Sequence, residues 1–417
     1  MPDQPLLVSA LQLVDGLGGP PVQDAGVLAG TDGTITWAGP LTEVPALPEN
    51  CRHITMPGTL LPGFIDTHVH LGLPGGGLNA AMLLIEPPPV RVLKIAAAMR
   101  ATLEAGVTTV RDLGFLGPSL AKMATTGATP APRLLNAIAM LSGTGGHGDF
   151  PLPHAIDQAE LFRVLDLRLA VADGPTEVTK AVRELIRDGA QVIKVAASGG
   201  ISTPADTPDD IGLTLEELRA AVEAAQGRGR TVAAHAIGTE GIALAVEAGV
   251  HSIEHGNGLT PGLADRMARQ GTFLVPTLAV MEQTGDPAVM GHHAHAKAGR
   301  WREATEKALP TAIGAGVRIA TGTDAGLGIR HGQNLSELSL LVQAGLSAMD
   351  AIVAGTRTAA EVCSLGDRIG TVEPGKLADL VVVAGDPLAD ITLLRDPANI
   401  TLVVQEGRVV KHPESAH

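Results

Sequence analysis

The chain has 417 residues, of which 45% are hydrophobic and 18% charged, as in a globular protein with enough apolar residues for a large core. Its formal net charge of −14 disfavours nucleic acid and anionic membrane surfaces as partners, and an aromatic content of 2% argues against recognition by stacking. Because the first residues lack a basic, apolar signal and no apolar run approaches a membrane span, we expect a cytoplasmic protein.

Short apolar segments separated by Gly, Pro and Asp turns are found near both ends of the chain. Three of them lie within residues 1–60, and similar segments return at residues 378–384 and 400–410. Neither group alone is large enough to bury an apolar face. We therefore predict that both ends pair into one sheet domain, discontinuous in sequence, formed by residues 1–60 and 366–417.

The middle of the chain, residues 61–365, is predicted to form one large α/β domain. Eight apolar runs alternate there with stretches of helical periodicity. The runs cover residues 60–66, 107–112, 133–139, 191–197, 231–235, 251–255, 272–277 and 318–324. Eight such units in about 300 residues match a (β/α)8 TIM barrel, whose active site lies at the C-terminal ends of the strands. A doubly wound open sheet is the alternative, but no Gly-rich dinucleotide fingerprint follows a run.

Six ionisable residues lie within these runs or at their ends. They are His68, His70, Lys194, His235, His255 and Asp324. His68 and His70 are two residues apart, so in a strand both side chains point to one face. Taken singly, a strand-end histidine is usually a hydrogen-bonded structural residue and an aspartate before a helix is commonly an N-cap. A barrel would instead bring all six residues to one cavity.

Histidine and aspartate ligands suit a divalent ion, with zinc, manganese, cobalt and nickel all compatible. Lys194 is exceptional in this set, because a lysine between Ile193 and Val195 would be costly to bury without a partner. Carbamylation by CO2 would convert its amine into an anionic ligand with two oxygens, able to bridge two cations.

Seven motifs carry a family resemblance. They are Pro62-Gly-Phe-Ile-Asp-Thr-His-Val-His70, Gly106-Val-Thr-Thr-Val-Arg-Asp-Leu-Gly114, Ile193-Lys-Val-Ala-Ala-Ser-Gly-Gly200, Ala234-His235, Ser252-Ile-Glu-His-Gly256, Gly322-Thr-Asp-Ala325 and Glu373-Pro-Gly-Lys-Leu-Ala-Asp-Leu380. Together they resemble the amidohydrolase superfamily over essentially the whole chain. The similarity is strongest to its binuclear branch, with imidazolonepropionase-related sequences, prolidase-like Xaa-amino-acid dipeptidases and ochratoxin-hydrolysing amidases.

The resemblance implies a TIM barrel flanked by a small β-sandwich built from both termini, and two divalent metal ions, most simply zinc. It implies one ion held by His68, His70, Lys194 and Asp324, and a second held by Lys194, His235 and His255. It also implies a carbamate on Lys194 and a hydroxide that bridges both ions. Asp324 would then accept the proton of that hydroxide and pass it to the leaving group.

We therefore expect hydrolysis of an amide bond in a small, hydrophobic N-acyl or peptide-like substrate. Lys194 disfavours deamination and ring opening, because the branches with those activities typically lack a lysine in the fourth strand. The alternatives are an Xaa-amino-acid dipeptidase or carboxypeptidase, and an ester, lactone, carbamate or phosphotriester hydrolase using the same metals. A non-catalytic scaffold is disfavoured because all six ligand positions are present.

Residues that would contact the substrate are less visible in the sequence. His147, in a loop that resembles the Gly-Gly-His-Gly loop of the relatives, is a candidate for the substrate carbonyl or leaving group; otherwise it is an exposed loop histidine. Arg111, Arg330 and His331 are placed to meet a substrate carboxylate, unless they form ion pairs with Asp112 and Glu337. Ile237 stands where dipeptidase relatives usually carry a tyrosine. Because it cannot donate a hydrogen bond, it favours a bulky hydrophobic substrate.

Two further segments have open interpretations. The apolar loop at residues 72–89 is either a lid over a hydrophobic substrate or a contact with a partner subunit, and we expect a homo-oligomer. The cluster of His292, His293 and His295 is expected to lie in a solvated loop rather than to form an additional metal site.

Overall fold

The computed structural model describes residues 2–77, 86–149 and 158–412. Residues 78–85 of the apolar segment 72–89, which is predicted to be a lid or an interface, lie outside the described residues. No helix within the described ranges is both long and apolar enough to cross a membrane.

Sixteen strands are found in the described residues. They are β1 (Leu6–Leu13), β2 (Val22–Ala29), β3 (Ile35–Pro40), β4 (Arg52–Pro62), β5 (Phe64–Val69), β6 (Val107–Asp112), β7 (Arg133–Asn136), β8 (Met140–Ser142), β9 (Ala170–Val171), β10 (Ile193–Ala196), β11 (Val232–Ala236), β12 (Ser252–His255), β13 (Phe273–Val275), β14 (Leu380–Val383), β15 (Ile400–Gln405) and β16 (Arg408–Lys411).

Thirteen α-helices accompany them in the same ranges. They are α1 (Pro88–Glu104), α2 (Pro118–Thr126), α3 (Gln158–Val164), α4 (Gly174–Arg187), α5 (Leu215–Gln226), α6 (Thr239–Ala248), α7 (Pro261–Gln270), α8 (Leu278–Gln283), α9 (Pro287–Met290), α10 (His292–Gly314), α11 (Ser336–Gln343), α12 (Ala348–Ala354) and α13 (Arg357–Val362).

The two ends of the chain share one mixed sheet of seven strands, in the order β16-β15-β14-β4-β1-β2-β3. Strand β14 pairs antiparallel with β4, so that Leu380 lies opposite Pro62, and β1 and β4 are parallel. Alternate apolar residues of these strands form a core of their own, in which Val8, Leu60 and Val382 are fully buried. The sheet therefore depends on segments more than 300 residues apart in the sequence.

Parallel strands form the middle of the chain. One sheet has the order β5-β6-β7 and another the order β13-β12-β11-β10-β8-β9, with helices following most strands. The residues of β5, β6, β10 and β11 are buried throughout, as expected for parallel strands covered on both faces. Isolated parallel bridges join Leu274 to Ile319 and Val69 to Ala325. The predicted α/β class is confirmed.

The helices are held by apolar stripes and local caps. In α4, Val178, Val182 and Leu185 recur at helical spacing and are buried against the parallel strands. Helix α5 begins with a capping box, in which the Thr214 hydroxyl accepts a hydrogen bond from the N–H of Glu217 and the Glu217 carboxylate accepts one from the N–H of Thr214. Both helices pack against the parallel strands that lead to the site described next.

Two of the predicted runs differ from a simple strand. In the third run, residues 133–139, strand β7 ends at Asn136, and β8 begins at Met140, just after the run. Ile138, between the two strands, adopts a left-handed backbone conformation with a φ of 71°. The eighth run, residues 318–324, forms no continuous strand and contributes only the bridge at Ile319.

Candidate metal centre

The site is centred on three buried side chains from two distant segments. The ligand atoms of His68, His70 and Asp324 lie within 4.8 Å of one another. Oδ1 of Asp324 is 3.0 Å from Nε2 of His70 and 3.6 Å from Nε2 of His68, yet it makes no hydrogen bond to a described residue. Two imidazole nitrogens and a carboxylate oxygen that converge in this way fit the ligand shell of a divalent cation.

The backbone at the strand ends turns sharply to aim these side chains. Asp324 adopts a φ of 60°, His255 a φ of 72° and Thr277 a φ of 49°, a left-handed conformation uncommon for residues other than glycine. The N–H of Asp324 donates to the carbonyl of His68 at 2.8 Å, which fixes the segment after Ile319 against β5. Strained backbone of this kind persists where the surrounding structure overdetermines it, and it clusters at functional sites.

Five imidazole rings form a continuous row through the site. The rings follow one another in the order His70, His68, His255, His235 and His147. The distances between the centroids of successive rings are 5.4, 5.1, 4.6 and 4.3 Å. Burial lowers the pKa of His68 and His235 well below the ordinary value and that of His255 to about 3. These rings are therefore held neutral, the form in which histidine binds a metal.

Hydrogen bonds on the outer side of each ring select the nitrogen that faces the centre. Nδ1 of His68 donates to Oε2 of Glu254 at 2.9 Å, and Nδ1 of His70 donates to the carbonyl of Gly114 at 3.1 Å. Nδ1 of His255 bonds the hydroxyl of Thr277 at 2.7 Å. Such partners fix the tautomer and the orientation of a ligating imidazole.

His70 and Asp324 are coupled to each other. Burial alone would lower the pKa of His70, but the adjacent carboxylate of Asp324 raises it above the ordinary value. Burial alone would raise the pKa of Asp324, but His68 and His70 lower it, so Asp324 is held as an anion. A carboxylate with Oδ1 unbonded in a buried site is suited to bind a cation or accept a proton.

Lys194 lies in β10, between Met140 of β8 and Ala233 of β11, and is 2% exposed. Its Nζ is buried and has no hydrogen-bond partner among the described residues. Burial lowers its pKa to about 8, so a substantial fraction of the amine is neutral near that pH. An orphaned, partly neutral amine beside three imidazoles fits a lysine that acquires its partner by modification or metal binding.

Arg111 requires a correction to the sequence-based prediction. It is 1% exposed, and its guanidinium donates to the carbonyl of Thr67 at 2.6 Å, the hydroxyl of Ser252 at 3.1 Å and Oε1 of Glu254 at 2.8 Å. Its donors are thus engaged inside the fold, away from a substrate carboxylate. The alternative interpretation, an ion pair with Asp112, does not hold either, because Arg111 pairs with Glu254.

His147 is brought to the site, as proposed from the sequence, and is buried rather than exposed. Its ring stacks on that of His235 with an interplanar angle of 19°, and its Nδ1 donates to Oδ2 of Asp206 at 2.8 Å. Ile237 is 4% exposed and packs in an apolar cluster that includes Ile201, Met281 and Trp301. The side chain two residues after His235 is therefore part of an apolar cluster and offers no hydrogen-bond donor.

The two basic residues after the eighth run differ in environment. Arg330 is exposed and forms no ion pair with a described residue. His331 is half-buried, its Nε2 donates to the carbonyl of Leu73 at 3.0 Å, and burial lowers its pKa to about 4. The ion pair predicted with Glu337 does not form, because the carboxylate of Glu337 accepts hydrogen bonds from the N–H groups of Leu278 and Ala279, both at 2.8 Å.

The histidine cluster after the seventh run is helical rather than a loop. His292 begins α10, where Nε2 of His293 donates to the carbonyl of Ser202 at 2.8 Å and Nδ1 of His295 donates to that of Thr284 at 2.9 Å. His293 and His295 therefore connect α10 to neighbouring segments, and among the described residues none of the three histidines is part of the converging metal-ligand set.

Three acidic residues contribute to the site without having been assigned from the sequence. Glu254 had a visible signal, since a charge at the centre of the buried run Ser252–His255 needs a partner. Asp66 accepts hydrogen bonds from the N–H of His68 and the hydroxyl of Thr323. Asp206 lies in a loop without a distinctive sequence pattern.

Comparisons with known proteins agree with this geometry. The profile of the amidohydrolase family matches residues 59–410. Ochratoxinase of Aspergillus niger is 34% identical over 372 residues, covering 85% of this chain and 76% of that protein. Imidazolonepropionase of Acidiphilium cryptum (strain JF-5) is 28% identical over 430 residues, covering 94% of each. A solved prolidase complexed with N-methylphosphonate-L-proline is 31% identical, with a TM-score of 0.90, covering 98% of this chain and 100% of that one.

Proposed function

The chain belongs to the amidohydrolase family, and from that premise we propose that it hydrolyses an amide bond in a small, hydrophobic N-acyl or peptide-like substrate. The observation that carries the proposal is the convergence of His68, His70 and Asp324 beside a buried, unpartnered Lys194. The family assignment makes the protein a metal-dependent hydrolase acting on carbon–nitrogen bonds. Similarity to ochratoxinase supports an amide bond as the bond cleaved.

We propose two divalent ions, most simply zinc. His68, His70, Lys194 and Asp324 would hold one, and Lys194, His235 and His255 the other, with Lys194 carrying a carbamate. The unbonded Nζ of Lys194 and the neutral imidazoles of His68, His235 and His255 support this assignment. When bound, such ions activate water and polarise a carbonyl.

The protein's own groups would orient the substrate and move the proton. Oδ1 of Asp324, free of hydrogen bonds, would accept a proton from the attacking water and deliver it to the nitrogen of the leaving amine. His147 would hold the substrate carbonyl or leaving group from its position beside His235. Ile237 and its apolar neighbours would exclude water and contact a hydrophobic substituent.

We propose further that the two parallel sheets and the segment 318–324 close into a (β/α)8 barrel spanning residues 61–365. The bridges from Leu274 to Ile319 and from Val69 to Ala325 support closure, since they join the outer strands of both sheets through that segment. Residues 1–60 and 366–417 would form the flanking β-sandwich domain. Self-association stays a prediction, which light scattering coupled to size-exclusion chromatography tests.

A dipeptidase or carboxypeptidase is the second candidate. The similarity to the prolidase structure favours it, as does the exposed guanidinium of Arg330, which is free to pair with a terminal carboxylate. Ile237 weighs against a peptide, because its side chain cannot donate a hydrogen bond.

The deciding experiment combines metal analysis with a hydrolysis screen. Purified protein loaded with zinc is assayed against N-acyl amino acids, dipeptides, aryl amides, carbamates, lactones and phosphotriesters. We expect Lys194→Ala to lose bound metal and most activity, with partial rescue by short carboxylic acids, whereas Lys180→Ala, at an exposed lysine of α4, changes neither. A Lys194→Ala protein that retains two ions would overturn the bridging role.

A further inference from the structure

Asp206 lies in the segment between β10 and α5 and makes a specific contact with His147. It is 4% exposed, and its Oδ2 accepts two hydrogen bonds, from Nδ1 of His147 and from the N–H of Gly200, both at 2.8 Å. Its Oδ1 accepts a hydrogen bond from the hydroxyl of Thr203. The carboxylate is therefore fully engaged, and one of its bonds determines which nitrogen of His147 carries a proton.

The segment that carries Asp206 is fastened by α10. Nζ of Lys297 donates to the carbonyls of Thr203 and Asp206, and Nε2 of His293 donates to that of Ser202. Lys297 is also 3.9 Å from Oδ1 of Asp206, close enough to favour the anion. These contacts hold the carboxylate in place independently of His147.

The ring of His147 is closely surrounded. His235 stacks on one side at a centroid distance of 4.3 Å, and Gly200 lies so close that a Cβ there would be 1.9 Å from Cε1 of His147. With Nδ1 bonded to Asp206, the remaining nitrogen, Nε2, makes no hydrogen bond to a described residue. Nε2 is thus the atom of this ring that can meet a substrate.

We propose that Asp206 is a positioning residue: it holds the proton of His147 on Nδ1 and so presents Nε2 to the substrate beside His235. This inference rests on the proposed function, since it assigns His147 to the amide substrate. A positioning role can be distinguished from a purely structural one, because removing Asp206 should then affect catalysis only through His147.

The first test is a double-mutant cycle with N-benzoyl-L-leucine and zinc-loaded protein. We expect Asp206→Ala to lower kcat by about 10- to 100-fold at nearly unchanged KM and metal content. The Asp206→Ala/His147→Gln protein should match His147→Gln within about twofold, because the two changes remove the same contribution. Asp206→Asn should recover most of the activity, since its amide oxygen can still accept from both His147 and Gly200, with Thr203 accepting from the amide nitrogen.

Asp210→Asn is the matched control. Asp210 lies in the same segment, is exposed, and accepts a hydrogen bond from the N–H of Thr207 at 2.7 Å rather than from His147. It should leave kcat unchanged. Multiplicative losses in the double variant, or equal losses in Asp206→Ala and Asp206→Asn, would overturn the positioning role.

A second measurement does not depend on turnover. Nitrogen-15 NMR of the imidazole rings, with His147 assigned from the spectrum of His147→Gln, should show Nδ1 protonated in the unmodified protein and in Asp206→Asn. In Asp206→Ala the proton should move to Nε2 in a large fraction of molecules. If the zinc-loaded protein hydrolyses no amide but this shift occurs, the proposed function fails while the Asp206–His147 contact stands; an unchanged ring spectrum in Asp206→Ala overturns the inference itself.

Discussion

Single side chains around the centre do more than supply ligand atoms. Glu254 shows this clearly, because its two oxygens serve different partners: Oε1 accepts from Arg111 at 2.8 Å and Oε2 from His68 at 2.9 Å. The buried arginine thus stabilises the carboxylate, and the carboxylate orients a proposed metal ligand. A glutamine at this position has only one side-chain oxygen, so it could not accept hydrogen bonds from both Arg111 and His68 through separate oxygens.

Glu254→Gln is therefore expected to weaken metal binding. The amide nitrogen would face either Arg111 or Nδ1 of His68, so the imidazole would lose its fixed tautomer, and affinity for zinc should fall by about 10- to 100-fold. Metal content after equilibration in zinc buffers of defined free concentration measures this. Glu337→Gln is the control, since Glu337 is equally buried at 0% exposure but caps α8 instead. Equal zinc affinity in both variants would contradict the role given to Glu254.

Arg330 is expected to contribute to binding rather than to assembly of the centre. Its exposed guanidinium is available to a substrate carboxylate, so Arg330→Ala should raise KM for N-acyl amino acids about tenfold or more. Hydrolysis of neutral aryl amides should be unaffected, because they carry no carboxylate. Steady-state kinetics on the two substrate classes test whether Arg330 binds the carboxylate. Arg228→Ala, at an exposed arginine after α5, is the control. A similar KM change for both classes would exclude a specific ion pair.

Among the elements, α8 has an unusual N-terminal cap. The N–H groups of Leu278 and Ala279 donate to the carboxylate of Glu337, which comes from α11. A carboxylate is favourable at a helix N-terminus. Burial nevertheless raises the pKa of Glu337 to about 8, against 4.5 for the free side chain.

This cap should make stability depend on pH with a predictable sign. The folded state binds the Glu337 proton more tightly than the unfolded state, so the free energy of unfolding should fall as pH rises from about 4.5 to about 8, with a slope of at most about 1.4 kcal/mol per pH unit. Glu337→Gln has no proton to lose there, so its thermal midpoint should decline less between pH 5 and pH 8. Parallel declines in the two proteins would refute the assignment.

The elements also show where sequence patterns were sufficient. The buried runs that became β5, β6, β10 and β11 were recognisable because short segments rich in apolar and β-branched residues predict strands. The end of β7 ahead of Ile138 was not recognisable, because nothing in a β-branched residue indicates a positive φ. The cluster at His292 was assigned to a loop because its polar composition masked the start of α10.

At the level of the complete chain, the convergence of His68, His70 and Asp324 was predictable, because each of them lies at or just after the end of an apolar run. The partners around these residues were not predictable: Asp206 comes from a loop, and the connection from Arg111 to Glu254 joins strands 143 residues apart in sequence. The sequence pattern shows where a side chain lies along its own strand. Its hydrogen-bond partner depends on which strands become neighbours in the fold. The same limitation applies to the junction between the terminal sheet and the parallel strands.

Arg133, at the start of β7, forms the centre of that junction. Its guanidinium donates to Oδ2 of Asp379 at 2.6 Å and to Oε1 of Glu406 at 2.6 Å, while Oδ1 of Asp379 accepts from the N–H of Glu406. Asp379 has a side chain only 2% exposed, and Arg133 is largely covered at 16%. The arginine thus neutralises a buried carboxylate next to β14 and joins the two parts of the fold.

Arg133→Met should destabilise the whole protein rather than the site. Removing the cation leaves Asp379 buried and unpaired, which costs about 3–5 kcal/mol in fully buried pairs and somewhat less here because Arg133 retains some exposure. Thermal unfolding should show a lower midpoint at unchanged zinc content per folded chain. Arg219→Met is the matched control: its ion pair with Glu247 spans 3.0 Å but is 49% and 40% exposed, so its loss should be about 0–1 kcal/mol. If the two variants unfold at the same temperature, the junction does not depend on Arg133.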